Sequence, residues 1–320
     1  MRAVVVDELG AGWNLREIPE PTPGTGAGES LVRVRAAAVS HLDLQLIRGQ
    51  FSIRPRTPFI AGTECSGEIV TSDIHSPGTP VRIRGAGVGI SRPGTWAEQV
   101  AAPNEAITVL DEADHWDLAA SFFSPAATAW AALHDVAVVA PGERVAVTGA
   151  TGAVGLVAVQ LAAQHGCDVV GIVGSDSKRD LVPPDVSTVA VYDAASGSLK
   201  GVADGDVGLF DAVVDTVGGG PLAAALSQVK PGGRVALVGY TAGDRIEIPI
   251  SRLLLSDVSL LPTNLLRRGP ALAERGRDLL ARLGRGELEL PVTAYDLSEV
   301  ARAFEAVEDR SMIGRVVVHP

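Results

Sequence analysis

Residues 144–174 read RVAVTGATGAVGLVAVQLAAQHGCDVVGIVG, and the reading of this stretch decides the fold. A Val-rich run, RVAVT, stops at Gly149, and Gly152 and Gly155 follow at intervals of three. An apolar run of helical length, 154–165, comes next, and a second Val-rich run occupies 168–174. Strand, glycine turn, helix and second strand within about 30 residues predict a βαβ unit. Glycines at these places let the chain turn sharply, let backbone approach a pyrophosphate, and let the helix pack closely on the strand. A merely tight turn uses the same glycines; the surrounding strand, helix and second strand favour a dinucleotide loop made by Gly149, Ala150, Thr151, Gly152, Ala153, Val154 and Gly155.

Moving outward, TVAVY (188–192), DAVVDTV (211–217), RVALVG (234–239) and VSLL (258–261) repeat the alternation of buried strand and connection. Continuous Val-rich strands joined by helices predict a parallel sheet covered on both faces. Upstream, PAATAWAALHDV predicts a helix with Ser124 as N-cap and Pro125 at the first helical position. Downstream, Leu272, Leu279, Leu280 and Leu283 form one apolar stripe ending at Gly284. Val300, Phe304 and Val307 form another behind a Ser298 cap, before a last strand, RVVV. The first hundred residues are β-rich, with runs at 3–6, 31–39, 67–70, 81–83 and 106–110 separated by Pro/Gly clusters such as EIPEPTPGTGAGES. That spacing predicts a small barrel or sandwich, interrupted by one short helix from Ser40 through Leu44 and Ile47 to Gly49.

At 320 residues the chain exceeds the size at which one core keeps growing, so two units are expected. Twenty-seven Lys and Arg against 38 Asp and Glu give a net charge of -11, which repels phosphate backbones and anionic lipid. The expectation is a small-molecule partner, with no nucleic acid and no membrane, although a local basic pocket for a small anion is compatible with this balance. Cys65 and Cys167 make neither a disulfide framework nor a four-ligand zinc site. MRAVVVDELG lacks the features of a signal peptide, so a cytoplasmic, reducing location is expected.

An NAD site places an Asp or Glu about 20 residues past the glycines, on the ribose 2′-hydroxyl. Here that position is Gly174, followed by Ser175-Asp176-Ser177-Lys178-Arg179. Two hydroxyls and two cations suit a 2′-phosphate, which predicts NADPH; Asp176 is a contrary charge. The competing reading of Lys178 and Arg179 is a solvated helix face.

The blocks VRVRAAAVSHLDLQLIRGQF, PFIAGTECSGEIV, DAVVDTVGG, VKPGGRVALVG and GRVVVHP, around the central GATGAVG, resemble the medium-chain dehydrogenase/reductase superfamily, most of all its zinc-free quinone oxidoreductase branch. The resemblance covers essentially the whole chain. It implies an α/β fold with a GroES-like, β-rich catalytic domain made from 1–124 and 257–320, and a doubly wound Rossmann domain, 125–256, for NADPH. It also implies that Ser175 to Lys178 and Tyr192 hold the 2′-phosphate, with Thr128, Val238 and Gly239 near the nicotinamide. Relatives are often dimers through an edge strand, here VSLL near residue 260.

Zinc-using relatives carry metal ligands where this chain has Ser40, Thr63 and Ser124, and hydroxyls are poor ligands beside thiolate or imidazole. His41 and Glu64 leave such a site half built, so no metal is expected. Hydride transfer to a quinone or an α,β-unsaturated carbonyl needs mainly positioning and a few donors, which makes a reductase the expected activity. The branch usually has Asn at Ser40 and Tyr at Phe51, so no N-terminal phenol is available as proton donor. The reacting oxygen is then met by Ser40, Thr63, Ser124, Tyr240, His41 or water, with Asp43 beside Ser40. Bland readings stand beside these: Ser40 and Asp43 fit a capping box, Ser124 an N-cap, and Thr63 a strand residue. A short-chain dehydrogenase would need Lys four residues after its Tyr, where Tyr192, Tyr240 and Tyr295 have Ser196, Asp244 and Glu299. A non-catalytic NADPH-binding redox sensor or structural protein on the same fold is the alternative from another class. A zinc-type alcohol dehydrogenase is disfavoured by the replaced ligands.

Overall fold

A computed structural model describes residues 1–23, 28–111, 115–201, 207–309 and 312–320, so part of the EIPEPTPGTGAGES segment lies outside the described residues. The chain divides into two units, Met1–Phe122 with Pro291–Pro320, and Phe123–Leu290.

In the first unit, strand Glu29–Val39 begins with the alternation of a half-buried strand, Val32 and Val34 inward and Arg33 and Arg35 outward. From Ala36 to Val39 every residue is buried. Tail strand Arg315–His319 pairs antiparallel along this stretch, with Val316 opposite Val39. Helix Trp116–Ser121 covers the other side, where Ala120 packs on Ala36 and Val317. The larger sheet runs in the order Val292–Asp296, Arg315–His319, Glu29–Val39, Glu64–Thr71, Pro80–Arg84, Ile107–Val109, and Gln99–Pro103 also pairs with Glu29–Val39. A smaller sheet orders Asn14–Glu17, Arg2–Val6 and Phe59–Ile60. Trp96 is fully buried, donates its indole N–H to the Ala38 carbonyl at 2.9 Å, and lies 5.1 Å from the Phe304 ring on tail helix Val300–Glu308. The last thirty residues thus complete this core.

The second unit is a seven-stranded sheet in the order Ser198–Lys200, Thr188–Asp193, Asp168–Val173, Arg144–Thr148, Phe210–Asp215, Val229–Leu237, Ser259–Pro262. All neighbours are parallel except Ser198–Lys200, which is antiparallel to Thr188–Asp193. The six parallel strands, taken in chain order, lie as 3-2-1-4-5-6, the doubly wound arrangement.

Three expectations are corrected. The second boundary lies at 290/291 rather than 256/257, because Ser259–Pro262 is the sixth parallel strand, with Leu260 opposite Val235. Residues beyond it stay in this unit. Gly276 in helix Ala273–Gly284 leaves room for the Phe123 ring, and the Gln160 side chain bonds the Glu289 backbone at 2.9 and 2.7 Å. Second, Ser124 is not an N-cap: helix Phe123–Trp130 follows Trp116–Ser121 through Phe122, whose backbone is already helical, so the extended residue that a cap requires is missing. Third, the cap near the last helix is Asp296, which accepts from the Ser298 backbone at 2.8 Å.

Helix Phe123–Trp130 continues into a π-helical turn, Ala131–Val136, and the chain then passes through Val138 at φ +48°. Left-handed backbone costs a β-branched residue about 1–2 kcal/mol. It is held by Arg234, which donates to the Ala137 and Val138 carbonyls at 2.5 and 3.0 Å and to Glu143 at 2.9 and 2.6 Å. The Val138 side chain is 65% exposed, so its removal opens no cavity. Val138→Gly is expected to stabilise the protein by about 0.5–1 kcal/mol, seen as a higher thermal unfolding midpoint; a lower midpoint would contradict the strain.

Candidate functional site

The glycine loop leaves strand Arg144–Thr148 at the sheet's C-terminal edge. Gly149 has φ +63°, and a Cβ there would lie 2.6 Å from Thr216 Oγ1 and 2.7 Å from Val217 Cγ1. A Cβ at Gly155 would collide with the Gly149 carbonyl. Gly152 is the N-cap of helix Ala153–Gln164 and supplies no side-chain acceptor. The N–H groups of Ala153, Val154 and Gly155 therefore have no acceptor within the helix and sit at the positive end of its dipole. Ala150 and Thr151 are buried, which keeps their side chains out of the way. Backbone donors with the side chains trimmed away fit a dinucleotide pyrophosphate.

Strand order reverses between Arg144–Thr148 and Phe210–Asp215, the position where dinucleotides bind in such sheets. Asp215, fully buried, joins the two strand ends. It accepts from Thr148 Oγ1 at 2.6 Å and from the Gly218 N–H at 2.9 Å. The Thr216 N–H donates to Thr148 Oγ1 at 2.9 Å, and Thr216 Oγ1 donates to the Thr148 carbonyl at 2.6 Å. Burial pushes the Asp215 carboxyl above its ordinary range, opposed by the bonds from Thr148 and Gly218. The N–H groups of Val238 and Gly239 donate to the Asp215 carbonyl at 2.8 and 3.2 Å, and a Cβ on Gly239 would collide with the Thr216 carbonyl. The expected nicotinamide segment is thus tied to the same hub. Tyr240, 52% exposed, follows it, and Thr128 is half-buried on helix Phe123–Trp130. The sequence reading did not single out Asp215 or Thr216; their signal was a carboxylate closing an otherwise apolar strand in DAVVDTVGG.

After the second strand, Gly174 is exposed with open space where a Cβ would be. Ser175 Oγ lies 2.9 Å from Ser177 Oγ. Arg179 is turned back on the protein: Nε donates to Asp176 at 2.8 Å, Nη1 to the Val189 carbonyl at 2.7 Å and Nη2 to the Gly201 carbonyl at 3.2 Å. Sequence reading placed Arg179 beside a phosphate; the structure uses it to neutralise Asp176 and to tie down neighbouring backbone. Residues 175–179 carry a net charge of +1. Tyr192 stands at the start of helix Gly219–Leu226, where a Cβ on Gly220 would collide with its hydroxyl.

The first unit brings Ser40, Asp43 and Thr63 together. Ser40 caps helix His41–Ile47 in an extended conformation, and the capping box with Asp43 forms as the local pattern predicts. Asp43 Oδ2 accepts from the Ser40 N–H at 2.9 Å and Ser40 Oγ at 2.6 Å; Oδ1 accepts from Thr63 Oγ1 at 2.9 Å. The cap and the candidate site are therefore one structure. Gly62, at φ +96°, holds Thr63 in place, since a Cβ there would lie 2.5 Å from Trp96 Cδ1. Asp43 is 1% exposed, and burial pushes its carboxyl up to about 6 despite the hydrogen bonds from Ser40 and Thr63. Arg315, from the tail, has a buried Nε without a hydrogen-bond partner, and the charges of Glu64 and Asp43 favour its cation against burial. Glu64 itself accepts from Arg84 Nε at 2.6 Å.

An ionised Asp43 only accepts, so each hydroxyl gives its proton to the carboxylate and keeps lone pairs for any other partner; protonation releases a hydroxyl proton. Ser124 belongs to the second unit, on helix Phe123–Trp130. His41 is exposed on the helix's first turn. Among the described residues no group of three or more His, Cys, Asp and Glu is placed to hold a metal ion. Cys65 is fully buried, and burial pushes its thiol up.

Folded Asp43 holds its proton to about pH 6 against an unperturbed 3.8, so the folded state binds more protons between these values and stability falls as pH rises through them. Urea unfolding of wild type and Asp43→Asn from pH 4 to 7 should show the wild type losing roughly 2.4 kcal/mol relative to the variant. A difference independent of pH would refute the buried charge.

Comparison with known proteins adds relatives on both units. The family described as alcohol dehydrogenase GroES-like domain matches residues 26–112, and the one described as zinc-binding dehydrogenase matches residues 153–281. The chain is 27% identical, over 331 residues, to the quinone oxidoreductase-like protein 2 homolog of Nematostella vectensis, covering 99% of this chain and 88% of that one. It is 25% identical to the acryloyl-coenzyme A reductase of Sulfurisphaera tokodaii over 348 residues, covering 100% of each. Among solved structures, the quinone oxidoreductase from Thermus thermophilus, solved also in complex with NADPH, matches at a TM-score of 0.78 and 30% identity, covering 100% of both chains.

Proposed function

The chain belongs to the medium-chain dehydrogenase/reductase superfamily, in its quinone oxidoreductase-like branch, and on that premise we propose that it is an NADPH-dependent reductase transferring a hydride to a quinone or an α,β-unsaturated carbonyl without zinc. The observation that carries this reading is the donor set of the first unit: the hydroxyls of Ser40 and Thr63 are both bonded to Asp43. The acryloyl-coenzyme A reductase and the NADPH-binding quinone oxidoreductase among the relatives support the same reaction class.

The N–H groups of Ala153 to Gly155 would receive the pyrophosphate, and Ser175, Ser177, Lys178 and Tyr192 the 2′-phosphate. Thr128, Val238 and Gly239 would border the nicotinamide, which when bound supplies the hydride. Ser40 and Thr63 manage the proton. With Asp43 ionised both hydroxyls donate to it; with Asp43 protonated one is released to donate to the substrate oxygen that gains charge. Reduction is accordingly favoured as pH falls through about 6.

Purified protein with NADPH or NADH and a panel of quinones and enones, followed by nicotinamide absorbance, tests the proposal. NADPH should be preferred, Lys178→Ala should weaken NADPH binding about tenfold while sparing NADH, and at least one acceptor should turn over. Equal binding of both nicotinamides would overturn the 2′-phosphate assignment. Bound NADPH without turnover of any acceptor would favour the redox sensor.

We also propose a homodimer through Ser259–Pro262. This strand is the open end of the sheet, and the helix before it leaves Ile250, Leu254 and Leu255 at 70, 76 and 87% exposure. An unpaired strand edge beside exposed leucines favours a self-complementary contact. Sedimentation equilibrium should give a dimer mass for the wild type and a monomer for Leu254→Lys/Leu255→Lys; a monomeric wild type would end this proposal.

A further inference from the structure

Thr148, Asp215 and Leu237 are the last residues of three neighbouring strands in the second unit's sheet, and each stands opposite the next. Ile172 and Pro262 continue the row on either side. Thr148 and Asp215 are fully buried. Strand pairing alone asks for no charge in such a row, since apolar residues of similar size commonly match or exceed a buried charge in stability. The carboxylate is explained by what it bonds.

Those partners lie beyond the strand ends. Asp215 accepts from Thr148 Oγ1 at 2.6 Å, from the Gly218 N–H at 2.9 Å and from the Val217 N–H, the last two in the turn that leads into helix Gly219–Leu226. Thr148 Oγ1 in turn accepts from the Thr216 N–H at 2.9 Å. The Val217 carbonyl accepts from the Ala242 N–H at 2.6 Å, so the same turn holds the chain just past Val238 and Gly239. On its other side, Thr148 directly precedes Gly149, where the glycine loop begins. Each bond has one direction. An ionised carboxylate only accepts, so all its donors are satisfied together, and the Thr148 hydroxyl spends its one proton on Asp215 while a lone pair receives Thr216. An amide in place of the carboxylate would turn its own N–H groups toward one of these donors.

We propose that Asp215 and Thr148 are positioning residues for the dinucleotide, setting the spacing between the loop assigned to the pyrophosphate and the segment assigned to the nicotinamide. This rests on the cofactor reading above. Both side chains are buried with their polar atoms bonded to protein, so they act through the backbone of the two loops rather than by contact. The adenosine end is assigned to Ser175, Ser177 and Lys178, after strand Asp168–Val173, which lies across Arg144–Thr148 from Asp215. The two ends of the cofactor therefore report on the pair separately.

The test measures binding of NADPH, and of adenosine 2′,5′-bisphosphate as the adenosine end alone, to the full-length protein by calorimetry, with the emission of bound NADPH recorded at saturation. Asp215→Asn and Thr148→Val should each weaken NADPH about tenfold or more while changing the bisphosphate by less than about twofold. Emission of the bound dihydronicotinamide should move toward that of free NADPH in both. Thr148→Ser, which keeps the hydroxyl, should restore both readouts. If Asp215→Asn is recovered unfolded, the Thr148 pair of variants decides alone. A merely structural role would weaken both ligands together or leave both unchanged; either result overturns the proposal, as does Thr148→Ser behaving like Thr148→Val. Wild type that binds NADPH tightly beside unaffected variants defeats this proposal and keeps the cofactor reading. Wild type that binds neither NADPH nor NADH defeats both.

Discussion

At the point where strand order reverses in the second unit, the buried carboxylate of Asp215 accepts from Thr148 on one strand and from Gly218 after the other. A carboxylate without water is costly unless it is fully hydrogen-bonded, and this one is satisfied only when both strand ends are in register. Its carbonyl then receives Val238 and Gly239, so three loops inherit their positions from one residue. The glycines do the complementary work. Gly149, Gly155 and Gly239 stand where a side chain would strike neighbouring backbone or Thr216, so the loops close on one another.

The first unit depends on a different constraint. A strand that is alternately buried becomes continuously buried at Ala36 to Val39, and that is stable only when something covers both faces. The cover comes from helix Trp116–Ser121, whose Ala120 packs on Ala36, and from the far end of the chain through Phe304 against Trp96, while Arg315–His319 pairs along the strand's edge. Arg315 is carried in on the same strand and meets the field of Asp43 and Glu64. The tail therefore supplies the core and an electrostatic partner for the candidate site together.

At Ser40 and Asp43 a helix cap and a candidate site are the same atoms, so local and functional readings were never alternatives there. At Arg179 they were. A cation two residues from a serine suggests a phosphate ligand, yet the guanidinium has three nearer acceptors in Asp176, Val189 and Gly201. Which acceptor a long side chain reaches depends on residues up to twenty-two positions away.

The sequence by itself determined the βαβ unit, the parallel sheet, the β-rich front and the glycine turn after the first strand of that unit. All of these follow from periodicity and from glycine's lack of a side chain, which act within a few residues. Family resemblance carried the joining of the two chain ends and the absent metal ligands. Only the tertiary structure decided that Ser259–Pro262 and the segment after it stay with the second unit, that Ser124 lies inside its helix rather than before it, and that Asp215 is the hub. The physical reason is common to all three: strand pairing, helix continuation through Phe122 and the satisfaction of a buried carboxylate are settled by packed neighbours, and local sequence carries no record of which neighbour arrives.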